Sequence, residues 1–219
     1  MSELDAVVRA RRSSRMFLPD KPVPRELLEE ALALAMRAPS NSNTQPWHLF
    51  LATGERRARL VDALLAAVVA NPPEIGSAGL PPSFAHLRRQ SGALIYGAMG
   101  IDRGDAEGRW NAQLRNWEFF RAPAAGVVCM HREFGNVDAV GVGMFLQTLL
   151  LALTERGIGS CVQVSIALYP DVLREQLDIP DELTVLCGMS IGYADPSFPA
   201  NHLDIPRNPV TDNVVFRDS

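Results

Sequence analysis

Arginine guanidiniums are planar forks that match phosphate oxygens two at a time. This chain places them at two distant points, Arg11-Arg12-Ser13-Ser14-Arg15 and Pro206-Arg207-Asn208-Pro209. Between these lies a loop dense in amides and hydroxyls, Ala38-Pro39-Ser40-Asn41-Ser42-Asn43-Thr44-Gln45-Pro46-Trp47. Brought together, the three segments suit a phosphorylated, ring-bearing ligand. Each also has a plainer reading. The first cluster suits a solvated face that complements the negative end of a helix. The loop suits a polar turn, and Arg207 suits surface charge on a proline-rich tail.

Other chemistries lack their signatures. Gly141-Val142-Gly143 has no third glycine and falls inside a helical pattern, so it makes no dinucleotide loop. There is no Walker lysine motif, no serine in a nucleophile elbow and no histidine placed for a triad. No catalytic side chain is therefore expected, and these absences favour a reaction carried by a cofactor. The four histidines form no metal-ligand spacing with cysteine or carboxylate, so no metal is expected. Cys129, Cys161 and Cys187 sit in apolar, strand-like runs; an odd count without a signal peptide points to buried thiols and the cytoplasm. A net charge of −4 argues against a nucleic-acid partner.

The elements that must position these residues read as α+β. Helices are expected at Glu3 to Arg12 (Ser2 as N-cap), Arg25 to Arg37, after Gly54 through Ala70, in pieces from Phe84 to Phe120 with a break near Gly100 to Gly104, and at Pro170 to Leu177. Strands are expected at Trp47 to Thr53, Ala124 to Met130, Ile158 to Val164 and Leu183 to Ile191. Asn71 to Pro82, with four prolines and two glycines, reads as a loop or excursion. Val137 to Glu155 is apolar nearly all round, which fits a core or subunit-interface helix. Asp138, Gln147 and Thr148 interrupt it, so no membrane span is expected. Gly157 and Gly159 mark a helix end and a tight strand entry. With 219 residues the chain forms one domain, with 71–116 as a lid-like excursion.

In order and spacing the segments resemble the FMN-dependent nitroreductase family. The Arg-Arg-Ser-Ser-Arg motif, the Pro39-to-Trp47 loop, Gly-Ile-Gly-Ser-Cys at 157–161 and Ile-Gly-Tyr at 191–193 leading to Pro-Arg-Asn-Pro carry the likeness. Gly92 to Ile101 and Arg115-Asn116-Trp117-Glu118-Phe119-Phe120 resemble its nitrobenzoate-type and mycobacterial-type branch. The resemblance implies a small mixed sheet wrapped by helices, in an intertwined homodimer with exchanged C-terminal tails. It implies that Arg11, Arg12, Ser13 and Arg15 hold the FMN phosphate and ribityl chain, with Arg207 closing over the phosphate. Pro39, Ser40, Asn41 and Ser42 would come from the partner subunit to line the flavin ring, with Asn43 and Gln45 supporting that loop. Gln163, Val164, Ser165 and Ile166 would pass the flavin N5, where the chemistry resides. Ile205 replaces a lysine present in several relatives, so the phosphate site leans on the N-terminal arginines.

The activity so implied is hydride transfer from NADH or NADPH, through FMN, to a nitroaromatic, quinone or similar small aromatic acceptor, by a ping-pong mechanism. Two alternatives stand beside it. One is other flavin chemistry on this fold, such as reductive dehalogenation, ene reduction or flavin cleavage. The other is a flavin-binding dimer without catalysis.

Overall fold

The structure, a computed structural model, describes residues 2–73 and 80–217. Part of the expected proline-rich loop, 74–79, lies outside them. Strands β1 (Trp47–Thr53), β2 (Ala124–His131), β3 (Gly159–Gln163) and β4 (Leu183–Gly192) form one sheet in the order β1-β2-β4-β3. Every neighbouring pair is antiparallel, which corrects the expectation of a mixed sheet. Among the described residues the one parallel pairing is an isolated bridge between Ser13 and Ser160. Each strand lies beside one running the other way, so no parallel crossover is needed.

The two central strands have both faces covered. Along β2, Ala124, Val128 and Met130 face one hydrophobic cluster, and Ala125, Val127 and Cys129 face another. Helices α2 (Arg25–Ala35) and α6 (Asn136–Glu155) close the first side; α3 (Gly54–Ala70) and α7 (Pro170–Leu177) close the second. A bulge where the β2 register shifts between Val128 and Cys129 adds Leu186 to β4. Leu183 and Val185 therefore face the α3/α7 side, whereas Cys187, Met189 and Ile191 face the α2/α6 side.

Two helices end earlier than periodicity predicts. Helix α1 (Glu3–Ala10) starts as expected, with Asp5 N donating to Ser2 Oγ at 3.2 Å and Ser2 N to Asp5 Oδ2 at 3.0 Å. It stops before Arg12 because Arg11 turns to an extended ψ of 123° and Ser13 is drawn to β3. Helix α2 ends at Ala35, where Arg37 N and Ala38 N tighten onto Leu34 and Ala35 carbonyls before Pro39.

The excursion after α3 carries α4 (Ala85–Ala98) and α5 (Ala106–Leu114), separated at Gly100, whose φ of +68° suits glycine. Phe119, Phe120 and Arg121 then take left-handed φ values of 52°, 52° and 65°, and both phenyl rings are buried. Phe17 N donates to Phe120 O at 3.0 Å and Ser190 Oγ to Phe119 O at 2.9 Å, which holds this turn against the sheet. After β4 the chain passes through a 3-10 turn at Pro199–His202 and then runs without regular structure to the short α8 (Val210–Asn213).

Helix α6 is not buried on all sides. Val142, Phe145, Leu149 and Leu153 pack inward, but Val137 and Val140 are 66% and 61% exposed. By length and composition this one helix could cross a membrane; in the fold, its inner face packs on α2 and the sheet.

Candidate functional site

The basic motif follows α1 as an extended segment laid along β3. Ser14 N donates to Ser160 O at 3.0 Å, and Gly159 permits the approach: a Cβ there would stand 2.8 Å from Ser14 Oγ. Beneath the motif the buried Ser160 hydroxyl has no partner among the described residues. Arg15 N donates to Asn201 Oδ1 at 2.7 Å, while Asn201 Nδ2 donates to Met16 O and Asp195 O at 2.8 and 2.9 Å. Arg12 Nη1 donates to Leu203 O at 3.1 Å. Asn201 thus fastens the motif to the start of the tail. Nothing in its sequence surroundings marked it, because an asparagine shows its clamp only when both strands of chain are in place.

The charge of the motif is unspent. Arg11, Arg12 and Arg15 form no ion pair among the described residues, and Arg15 Nη1 bonds only the carbonyl of Ser13, at 3.2 Å. Its field reaches the thiol of Cys161. Burial pushes that thiol up to about 11, against the opposing pull of Arg15, a Ser13 hydrogen bond and Arg11. Unpaired guanidiniums with serine hydroxyls and backbone at one place fit a phosphate monoester.

Arg207 is on the same tail, four residues past Leu203. Its Nη1 donates to Ile205 O at 2.6 Å and Pro206 O at 3.2 Å, and the residue is exposed. In the single chain the guanidinium folds back on its own tail.

The polar loop stands apart from the motif. Ser42, Asn43 and Gln45 have φ values of 48°, 57° and 47°, a run of left-handed non-glycine residues that costs of order 1–3 kcal/mol each. Ser40 holds it: Gln45 N donates to Ser40 Oγ at 2.9 Å and Asn43 N to Ser40 O at 3.1 Å. Pro39, Asn41, Ser42, Asn43 and Gln45 are exposed, so their polar groups remain available. The loop rests on α6 at Gly141, where an added Cβ would meet Ser40 Cβ at 3.2 Å. That contact is the structural reason for the glycine.

The segment after β3 divides by side chain. Gln163 is buried: its Nε2 donates to Asn116 O at 2.8 Å and its Oε1 accepts a short bond from Ser190 Oγ. Ile166 is buried against Gly188. These two side chains tie the segment to the excursion and the sheet. Val164 is 69% exposed and Ser165 half-buried.

A cleft of about 920 Å³ opens between α4 and α5, with Arg15, Met99, Arg115, Asn116 and Phe120 on its wall. A second groove of about 780 Å³ runs beside the free edge of β1 and α2, past Leu28, Leu32, Leu51 and Thr53.

A small antiparallel sheet, a long half-covered apolar helix and an arginine-serine motif laid along β3 define the nitroreductase fold class. The NfnB crystal structure described as an FMN and NADPH-dependent nitroreductase from Sphigopyxis sp. strain HMH superimposes with a TM-score of 0.93 at 32% identity, over 100% of both chains. NfnB from Mycobacterium smegmatis, described as FMN-dependent and in complex with NADPH, gives 0.90 at 32% identity, over 98% of this chain and 97% of that one. The chain belongs to the Nitroreductase family, whose profile matches residues 8–193. It is also similar to a 4-nitrobenzoate reductase of Pseudomonas putida, 38% identical over 94% of this chain and 91% of that one. A nitrobenzene nitroreductase of Ectopseudomonas oleovorans is 36% identical over 97% and 96%.

Proposed function

We propose that this protein is a homodimeric FMN-dependent oxidoreductase that takes a hydride from NADH or NADPH and reduces nitroaromatics, quinones or related small aromatic acceptors. The observation that carries this reading is the set of unpaired guanidiniums of Arg11, Arg12 and Arg15, held to β3 and the tail by backbone contacts. The likeness to FMN and NADPH-dependent NfnB and to a 4-nitrobenzoate reductase supports it. When bound, FMN supplies the hydride-accepting chemistry. Arg11, Arg12, Ser13 and Arg15 would bind its phosphate and ribityl chain, and Arg207 would swing from its own carbonyls to close over the phosphate. The backbone at Val164 and Ser165 would orient the reactive edge.

The dimer is read from surfaces. The exposed valines of α6 lie beside the helix turn on which the Ser40 loop sits. A partner covering that face would meet Pro39 to Ser42, with Asn43 and Gln45 behind them. The tail ends in exposed Val214, Val215 and Phe216, which lack a core of their own, and β1 offers an unpaired edge beside an open groove. Exchange of tails between copies would satisfy both. The single domain spans 1–219, with 71–116 acting as a lid, in a soluble cytoplasmic protein without membrane or nucleic-acid partner.

The test is direct. The purified protein should absorb in the flavin bands, bleach anaerobically with NADH or NADPH, and recover its colour on adding a nitroaromatic. A yellow protein that neither nucleotide reduces would replace this reading with flavin binding without catalysis.

A further inference from the structure

Past its bridge to β3, the arginine-serine segment pairs with the chain that follows β4, where Phe17 and Ala194 form an antiparallel bridge. Ser14 N donates to Ser160 O at 3.0 Å on one side, and Leu18 N to Tyr193 O at 2.9 Å on the other. Between them Arg15 N has no backbone acceptor among the described residues, and Asn201 Oδ1 accepts its hydrogen bond at 2.7 Å. The nitrogen of the same amide donates to Met16 O and Asp195 O at 2.8 and 2.9 Å. Met16 O also accepts from Asp195 N at 3.0 Å, so both of its lone pairs are filled. Asn201 is itself buried.

The choice of residue follows from this count. One acceptor and two donors are needed at a single point, and a side-chain amide supplies both. Aspartate has the same shape and would accept from Arg15 N, but its carboxylate could not donate to the two carbonyls. It would also set a negative charge against arginines that form no ion pair among the described residues. The seat is fixed as well: Asn201 N donates to Phe198 O at 3.0 Å, and Arg115 lies over the Phe198 ring at 5.5 Å.

The bonds to Ser160 and Asn201 occupy the amides of Ser14 and Arg15. A phosphate at the motif is therefore left to side chains, whose reach depends on where the backbone at Arg15 and Met16 is held. We infer that Asn201 is a positioning residue for the phosphate of FMN, its neutral amide holding the motif in place without supplying a counter-ion. The inference rests on the flavin reading above, and it gives Asn201 no contact with the cofactor.

The probes are FMN and riboflavin, which differ by the phosphate alone. Each is titrated into stripped protein by flavin fluorescence, with circular dichroism to verify the fold. Wild type should bind FMN more tightly than riboflavin. Asn201→Ala should weaken FMN binding about 2- to 12-fold, the net worth of a neutral hydrogen bond. Asn201→Asp should weaken it about 10- to 150-fold, because the carboxylate competes with the phosphate for charge-assisted bonds. Riboflavin affinity should hold in both variants. An equal loss of riboflavin affinity would make Asn201 a general support of the fold and overturn the inference. Wild-type FMN affinity in folded Asn201→Asp would overturn it too. Should that variant not fold, an unchanged FMN-to-riboflavin ratio in Asn201→Ala would do the same. A wild type that binds both flavins equally would sink the phosphate assignment, and with it the role of Asn201, while leaving flavin binding intact. A wild type that binds neither would refute the flavin reading itself.

Discussion

At the scale of single residues, the proposed function rests on arginines that form no ion pair among the described residues. Arg207 is the clearest test, because in the single chain it bonds its own carbonyls, and Ile205 supplies no second cation nearby. A charge-assisted hydrogen bond contributes roughly 1.5–3 kcal/mol, so Arg207→Ala should weaken FMN binding about 10- to 150-fold. Arg207→Lys should recover only part, since an ammonium has no planar fork. FMN titration of stripped protein, with circular dichroism to verify the fold, reads both; wild-type affinity in folded Arg207→Ala would remove the residue from the site. The three buried thiols make a second prediction. Burial raises Cys129 to about 12 and Cys161 and Cys187 to about 11, above the ordinary 9.0. The folded state then holds protons that the unfolded state releases, so stability is full below 9.0 and falls as pH rises toward the folded values. Urea midpoints should drop above that pH, and less steeply in Cys161→Ala; an unchanged slope would contradict the assignment.

At the scale of elements, two glycines decide where loops can sit. A Cβ on Gly188 would come 2.6 Å from Ile166 Cβ and 2.5 Å from its Cγ1, and because Cβ is fixed by the backbone no change of rotamer clears it. Gly188→Ala should therefore push the Val164–Leu168 turn off the sheet and cost about 1–3 kcal/mol. Lower thermal stability together with altered flavin fluorescence is expected, while stability equal to wild type would show that the turn yields freely. Gly141 plays the milder part, seating Ser40 and Pro46 so that the loop meets α6 beside its uncovered face. Periodicity could not reveal either role, because each depends on what approaches the glycine from another element.

At the scale of the molecule, one chain leaves too much apolar surface uncovered. Val140→Asp would place a charge on the outer face of α6, where Val140 is 61% exposed in the single chain. If the proposed dimer forms through this face, the variant should sediment as a monomer and release FMN, because the loop at Pro39 to Ser42 would no longer reach a partner's flavin. A monomer that keeps its full FMN would sink the shared-site arrangement. The same geometry predicts turnover kinetics. If, as proposed, one pocket over the flavin serves donor and acceptor in turn, the double-reciprocal lines should be parallel; intersecting lines would require a second pocket.

What the sequence alone determined was local. The N-cap at Ser2, the strand from Trp47 to Thr53, the helix from Pro170 to Leu177 and the buried cysteines all follow from capping, alternation and apolar runs. The arginine-serine motif was legible too, because guanidinium chemistry is carried by residue type. Tertiary structure decided the rest. It ended α1 at Ala10 by drawing Ser13 to Ser160, and it sank Gln163 and Ile166 into contacts with Asn116, Ser190 and Gly188. It also folded Arg207 onto its own tail and gathered arginines from α4 and α5 around one cleft. Each of these outcomes depends on which distant segment arrives alongside, and neither periodicity nor composition encodes that arrival residue by residue.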